Sequence, residues 1–151
     1  MAKRYILSVE RNAALKEAQR YACEREMTSL GYCQCITCGA IVSDAQGGHF
    51  IPKRVRVTEL VPENIHPQCV KCNMYKNGDP LMYRGMLYDM YGTEYVKRLE
   101  DLKAAYEGNQ EAYESLSDED RELVKVKRTG AWYHEQRVLF RNLRKHLKEN
   151  R

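Results

Sequence analysis

Cys35-Ile36-Thr37-Cys38, then Gly47-Gly48-His49-Phe50-Ile51-Pro52, then Asn64-Ile65-His66-Pro67-Gln68-Cys69-Val70-Lys71-Cys72-Asn73: on these three stretches the fold turns. Each C-x-x-C turn presents two sulfurs to one point, and 30 residues separate Cys38 from Cys69. Two such pairs can close one tetrahedral Zn²⁺ site. Unliganded core cysteines and disulfides are the competing readings. The opening MAKRYILSVERNAALKEA breaks its apolar residues with charge, so it reads as neither signal peptide nor membrane span. The expectation is an intracellular, cytoplasmic chain, where thiols stay reduced and paired C-x-x-C motifs usually mean metal. Cys23 and Cys33 are left over. Cys33 is near enough to Cys35 to be a substitute ligand, and both otherwise read as spare thiols.

Working outward, 151 residues with 43% hydrophobic and 30% charged content suit one small soluble core. A structural zinc contributes on the order of 10 kcal/mol of apparent folding energy, so the cysteine region can fold with little apolar burial. The net charge of +4 is unevenly spread. Residues 100–120 carry eight acids against Lys103, whereas residues 121–151 carry ten Lys/Arg against Glu122, Glu135 and Glu149. That basic end reads equally as a phosphate-contact surface and as a solvated helix face.

Good helix formers from about Glu10 to Leu30 predict a first helix, with Gly31 ending it in a left-handed C′ position. Between Tyr32 and Pro67 the pattern predicts two short strands, at Ala40-Ile41-Val42 and at His49-Phe50-Ile51, and then a basic loop. Asp79-Pro80 reads as an N-cap with proline at the first helical position, followed by an apolar face of Leu81, Met82, Met86, Leu87 and Met90. Thr93 is expected to cap the next helix, with Tyr95, Val96, Leu99, Leu102 and Ala105 at helical spacing. Ser117 opens an acid-led helix, and Trp132, Tyr133, Val138, Leu139, Leu143 and Leu147 support a basic amphipathic helix to the end. The division expected is residues 1–31 as an N-terminal helix, 32–92 as the zinc-stapled core, and 93–151 as a helical extension with a basic last helix.

The run Gly48 to Pro52, with Asn64 to Asn73, resembles the HNH (ββα-metal) endonucleases. More narrowly, GGHFIPKR…NIHPQCVKCNMYKNGDPLMYRGMLYDMYGTEYVKRLE is similar to the phage NinG (Rap) recombination endonucleases over about Cys35 to Glu100. The layout of two C-x-x-C pairs followed by Asn73 is also similar to phage endonuclease VII. The fold class implied is α+β: a small zinc-stapled ββα-metal core, treble-clef-like, flanked by several α-helices. One position departs from the pattern. Many HNH enzymes place an Asp or His metal ligand immediately before the general-base histidine, and here Gly48 stands there.

Hydrolysing a phosphodiester needs a base for water, a cation to offset developing charge, and a group that holds the base in the right tautomer. The resemblance assigns these roles to His49 as base, to Asn64 as its orienter through its amide or local backbone, and to Asn73 as an amide ligand for a catalytic Mg²⁺ or Mn²⁺. His66 or Asp79 are further ligand candidates, with Asp44 another, and His66 reads equally as a phosphate donor or a packed partner of the zinc knuckle. Asn73 also suits a helix cap. Lys53, Arg54, Arg56, Lys71 and Lys76 surround the motif, and Arg137, Arg141, Arg144, Lys145 and Lys148 recur along the last helix; both sets are expected phosphate contacts. The tyrosines Tyr75, Tyr83, Tyr88, Tyr91 and Tyr95 read as core and hydrogen-bond anchors. The function implied is a divalent-metal-dependent DNA endonuclease acting on branched or recombination DNA, with a homodimer expected from the symmetry of junction substrates. Its alternative is a non-catalytic zinc module that binds nucleic acid or protein.

Overall fold

The computed structural model describes residues 2–151. Helix α1 (Leu7–Glu26) is followed by the two-residue strands β1 (Cys33–Gln34) and β2 (Ile41–Val42), which pair around the first cysteine knuckle. Strands β3 (Gln46–His49) and β4 (Ile65–Gln68) form a second antiparallel pair, with Gly48 opposite His66 and His49 opposite Ile65. A long loop with a 3-10 turn at Pro62–Asn64 joins them. The remaining helices are α2 (Pro80–Tyr91), α3 (Thr93–Tyr106), α4 (Gln110–Ser115), α5 (Asp118–Lys125) and α6 (Gly130–Glu149). The chain is α+β and mostly helical. No helix among the described residues is long and apolar enough to cross a membrane.

The β3–β4 pair lies between two cores. On one side, Ala14, Leu15, Ala18 and Ala22 of α1 and Tyr133 and Phe140 of α6 close over Leu60 and Ile65. On the other, Tyr83 and Leu87 of α2 and Val96, Leu99 and Leu102 of α3 pack with Phe50, Ile51, Val55 and Val57. Alanines at four-residue spacing let α1 approach closely, and Gly47 completes the fit. A Cβ there would lie 2.6 Å from the Gln19 Cα, and the Gln19 amide donates to the Gly47 carbonyl at 3.0 Å.

Several local expectations change. Helix α1 ends at Glu26, not Leu30, because Met27 is extended and residues Thr28 to Tyr32 close a turn (Thr28 N–H to Tyr32 carbonyl, 2.8 Å) that feeds β1; Gly31 is left-handed inside that turn. Strand β3 stops at His49, and Phe50 and Ile51 enter the core beyond it. After Cys69, residues Lys71–Tyr75 form a π-helical turn, and the long helix waits until Pro80. Asp79 sits at the α2 N-cap, but left-handed and with no side-chain cap bond, while Gly92, not Thr93, precedes α3. Ser117 caps α5 by accepting from the Asp120 N–H, as its type predicts. On α2 the buried stripe is Tyr83 and Leu87; Leu81, Met82 and Met90 are exposed. On α6 it is Tyr133 and Phe140, with Leu139 exposed.

Helices α1 and α6 run parallel, joined by charge at heptad spacing. Glu10 meets Arg137 (3.4 Å), and Glu17 and Glu24 meet Arg144 (2.5 and 2.8 Å). These pairs are largely shielded from solvent, so truncating one partner strands the other's charge. Arg144→Ala should therefore destabilise the fold by about 2–3 kcal/mol, the scale of hydrogen bonds to charged groups. Chemical denaturation at neutral pH checks it, and unchanged stability would show the ladder to be ornamental.

Candidate functional site

The knuckle turns bring Cys35, Cys38, Cys69 and Cys72 together, with their sulfurs all within 4.8 Å of one another. Cys38 and Cys69 sulfurs are 3.8 Å apart, which matches the ~3.8 Å edge of a tetrahedron whose centre is about 2.3 Å from each thiolate. The Thr37 hydroxyl lies 3.1 Å from Cys35 Sγ, and the Cys72 N–H reaches Cys69 Sγ at 3.4 Å. Such contacts orient and stabilise thiolate ligands. The four cysteines can thus hold a structural metal such as zinc. Cys33 is excluded from the set: its thiol turns to the Cys23 carbonyl (3.4 Å), and that of Cys23 turns to the Ala45 carbonyl (3.5 Å).

His49, at the end of β3, lines a cleft of about 220 Å³ together with Gln19, Lys53, Asn73, Asn77 and Gly78. Its Nε2 is 2.8 Å from the Glu59 backbone carbonyl. A carbonyl can only accept, so Nε2 carries the proton and Nδ1 is left as the basic nitrogen. Burial lowers the His49 pKa to about 4, against the opposing carbonyl bond and with help from Lys53 and Arg11. The imidazole is therefore neutral at neutral pH.

The orienting contact comes from a residue that sequence patterns did not single out. Asn64 makes no hydrogen bond to the ring among the described residues. Its side chain accepts from the Ile51 N–H (2.8 Å) and donates to the Ile51 and Thr58 carbonyls (2.9 and 3.1 Å), which fixes the loop next to Glu59. The Glu59 carboxylate is itself fully buried and held by Arg11 (2.7 Å) and the Tyr133 hydroxyl. The carbonyl behind His49 is thus anchored from α1, α6 and Asn64 at once. Only burial marks Glu59, and burial is not written in the local sequence.

Asn73 donates from Nδ2 to Gln46 Oε1 at 2.7 Å, which leaves its Oδ1 uncommitted beside His49. Asn77 joins it because the chain turns back there through three positive-φ residues, Asn77, Gly78 and Asp79. His66 is not in the cleft. It is 2% exposed, with Nδ1 on Glu26 (2.7 Å) and Nε2 near the Tyr95 hydroxyl (3.0 Å), so both nitrogens are engaged and it packs as a structural residue. Asp79 faces Lys76 at 3.9 Å, and Asp44 is exposed on a bend. Of the five central cations, Lys53 alone lines this cleft; Arg54 and Arg56 line separate hollows, and Lys71 and Lys76 are exposed on the knuckle. On α6, Arg137 and Arg144 are taken up by α1, while Arg141, Lys145 and Lys148 remain exposed. Tyr83 and Tyr95 anchor by donating to the Gly48 and Glu63 carbonyls (both 2.9 Å), whereas Tyr75 is exposed.

Gly48 has a steric cause. A Cβ at that position would lie 1.9 Å from the Oε1 of fully buried Gln68, so any larger residue there must displace the Gln68 side chain from its bond to the Gly78 carbonyl. Gly48→Ala should destabilise by about 1–3 kcal/mol, the usual cost of overpacking. Gly48→Asp should cost more, without raising any metal affinity. Thermal unfolding followed by circular dichroism checks both.

Against known proteins, the family described as Bacteriophage Lambda NinG protein matches residues 8–129. Protein ninG of Salmonella phage P22 is 31% identical over 98 residues, covering 60% of this chain and 46% of that protein. Protein ninG of Escherichia phage lambda is 37% identical over 73 residues, covering 44% of this chain and 33% of that protein, and Protein ninG of Escherichia phage 933W matches at the same identity. The chain spans less than half the length of these relatives. No solved structure matches. The match over most of the chain, cysteine cluster and His49 cleft included, makes it a member of the NinG family of lambda-like phages.

Proposed function

We propose that this chain is a divalent-cation-dependent DNA endonuclease of the ββα-metal kind, with zinc as a structural staple and His49 as general base. The observation that carries this is the His49–Glu59 carbonyl bond inside an open cleft, since it yields a neutral imidazole of fixed tautomer at a place a phosphate can reach. His49 Nδ1 takes the proton from the water that attacks phosphorus, and the 3′ oxygen leaves. Lys53 neutralises a phosphate oxygen. Asn73 and Asn77 supply amide oxygens, the hard donors that Mg²⁺ or Mn²⁺ accepts, and the bound ion would offset charge on the leaving oxygen.

No carboxylate among the described residues lines the cleft. A neutral donor set fits an ion that arrives with the DNA phosphate and keeps several waters, and the same feature is what favours the second reading, a zinc module that binds nucleic acid without cutting it. The family resemblance points to branched or recombination DNA inside the bacterial host, and to a homodimer on symmetrical junctions. Cleavage of labelled linear, flap, D-loop and four-way DNA with Mg²⁺ tests the assignment. Preferential cutting near the branch is expected, and binding of all four with cutting of none would favour the second reading.

A further inference from the structure

We infer that the DNA strand entering the His49 cleft runs along α1, with its backbone phosphates held by Lys16, Arg20 and Lys53. This rests on the nuclease reading of that cleft and adds the path of the substrate. A groove of about 800 Å³ lies beside the cleft, and the two share Gln19, Gly47, Lys53 and Asn73 on their walls, so they form one continuous channel.

The charge of this groove is uncompensated. Lys16 and Arg20 line it, both are exposed, and neither makes an ion pair among the described residues, unlike Arg11 and Arg25 of the same helix. The one carboxylate on its wall among the described residues, Glu24, is held by Arg144 at 2.8 Å. Like charges four residues apart destabilise a helix, so nothing in the fold itself calls for this pair. Four residues of helix rise about 6 Å, under two nucleotides at ~3.4 Å of rise per strand, so the pair can meet neighbouring phosphates. On α6 the arrangement is the reverse: Arg137 and Arg144 are bound to Glu10, Glu17 and Glu24.

The test is fluorescence anisotropy of a labelled flap duplex against salt, using zinc-loaded His49→Ala protein so that no cutting intervenes. Two variants are compared in that background: Lys16→Gln/Arg20→Gln/Lys53→Gln and Arg141→Gln/Lys145→Gln/Lys148→Gln. The α1 variant should bind about tenfold or more weakly, with a slope of log affinity against log salt reduced by roughly 2–3 units, at about 0.7–0.9 per lost phosphate contact. The α6 variant should change affinity by less than about twofold. Zinc content and circular dichroism confirm that both are folded. Unchanged affinity in the α1 variant, or the loss falling on the α6 variant instead, overturns the α1 path. Binding is read without cleavage, so a wild-type chain that fails to nick DNA while the α1 variant loses affinity would defeat the nuclease reading and leave the path standing.

Discussion

Replacing Cys69 or Cys72 by Ser should abolish zinc binding by the four-cysteine cluster and unfold the segment from β1 to the π-helical turn. Each sulfur lies within 4.8 Å of three others in a cluster with few apolar neighbours besides Val42. Four sulfurs packed this closely can all ionise only around a cation, and structural zinc contributes on the order of 10 kcal/mol in small folds. The loss should spread into the cleft, because the Ile36 N–H bonds the Pro67 carbonyl (2.8 Å) and so ties the first knuckle to β4. Elemental analysis should give one zinc per wild-type chain and none in either variant. Cys33→Ser should keep its zinc, since that thiol faces the Cys23 carbonyl.

His49→Ala should lower the cleavage rate about 10²-fold or more while leaving zinc content and DNA affinity nearly intact, the usual scale for losing a positioned base. The pH dependence separates a base from a structural histidine. With the folded pKa lowered from 6.5 to about 4, His49 stays unprotonated down to mildly acidic pH, so its limb of the rate profile should appear near pH 4 and leave the range from pH 6 to 8 flat. The sign for stability follows from the same shift. Between 4 and 6.5 the unfolded chain binds the proton that the folded chain refuses, so stability is full above about 6.5 and falls as pH drops toward 4. His49→Ala should remove that part of the acid sensitivity, which denaturation at pH 5 and pH 7 would show.

What was legible in the sequence was the part governed by spacing. Two C-x-x-C turns can meet in one place, and they do. The acid-rich opening of α5 behind Ser117 and the apolar spacing of α3 are local patterns that tertiary packing left alone. Short α4 carries little local signal beyond Asn109, whose side chain accepts from the Ala112 N–H. On α6, helix pairing takes up two of the five basic residues, Arg137 and Arg144, and leaves Arg141, Lys145 and Lys148 exposed. Arginines at three- and four-residue intervals look like a nucleic-acid face until Glu10, Glu17 and Glu24 are placed against them, and both series repeat every seven residues, a signal present in the sequence but meaningful only once α1 and α6 are paired. Burial also decides what His66 and Asn64 do: His66 is spent on packing, while Asn64 holds the backbone next to Glu59, the local-backbone route that the resemblance allowed it. Their types suit chemistry, yet the polar bonds they make are buried, and a buried polar group must spend its bonds on the fold. Glu59, conversely, contributes to the candidate site through its backbone, to which residue identity gives no clue.

Nicking of supercoiled plasmid decides whether this chain cuts DNA with His49, as proposed. Wild type and His49→Ala are compared at equal zinc content, with and without Mg²⁺ or Mn²⁺. The predicted result is nicking by wild type that requires the added ion and falls about 10²-fold or more in His49→Ala. A zinc-replete wild-type chain that binds the plasmid and leaves it supercoiled with both ions, or a His49→Ala chain that nicks at the wild-type rate, would contradict it.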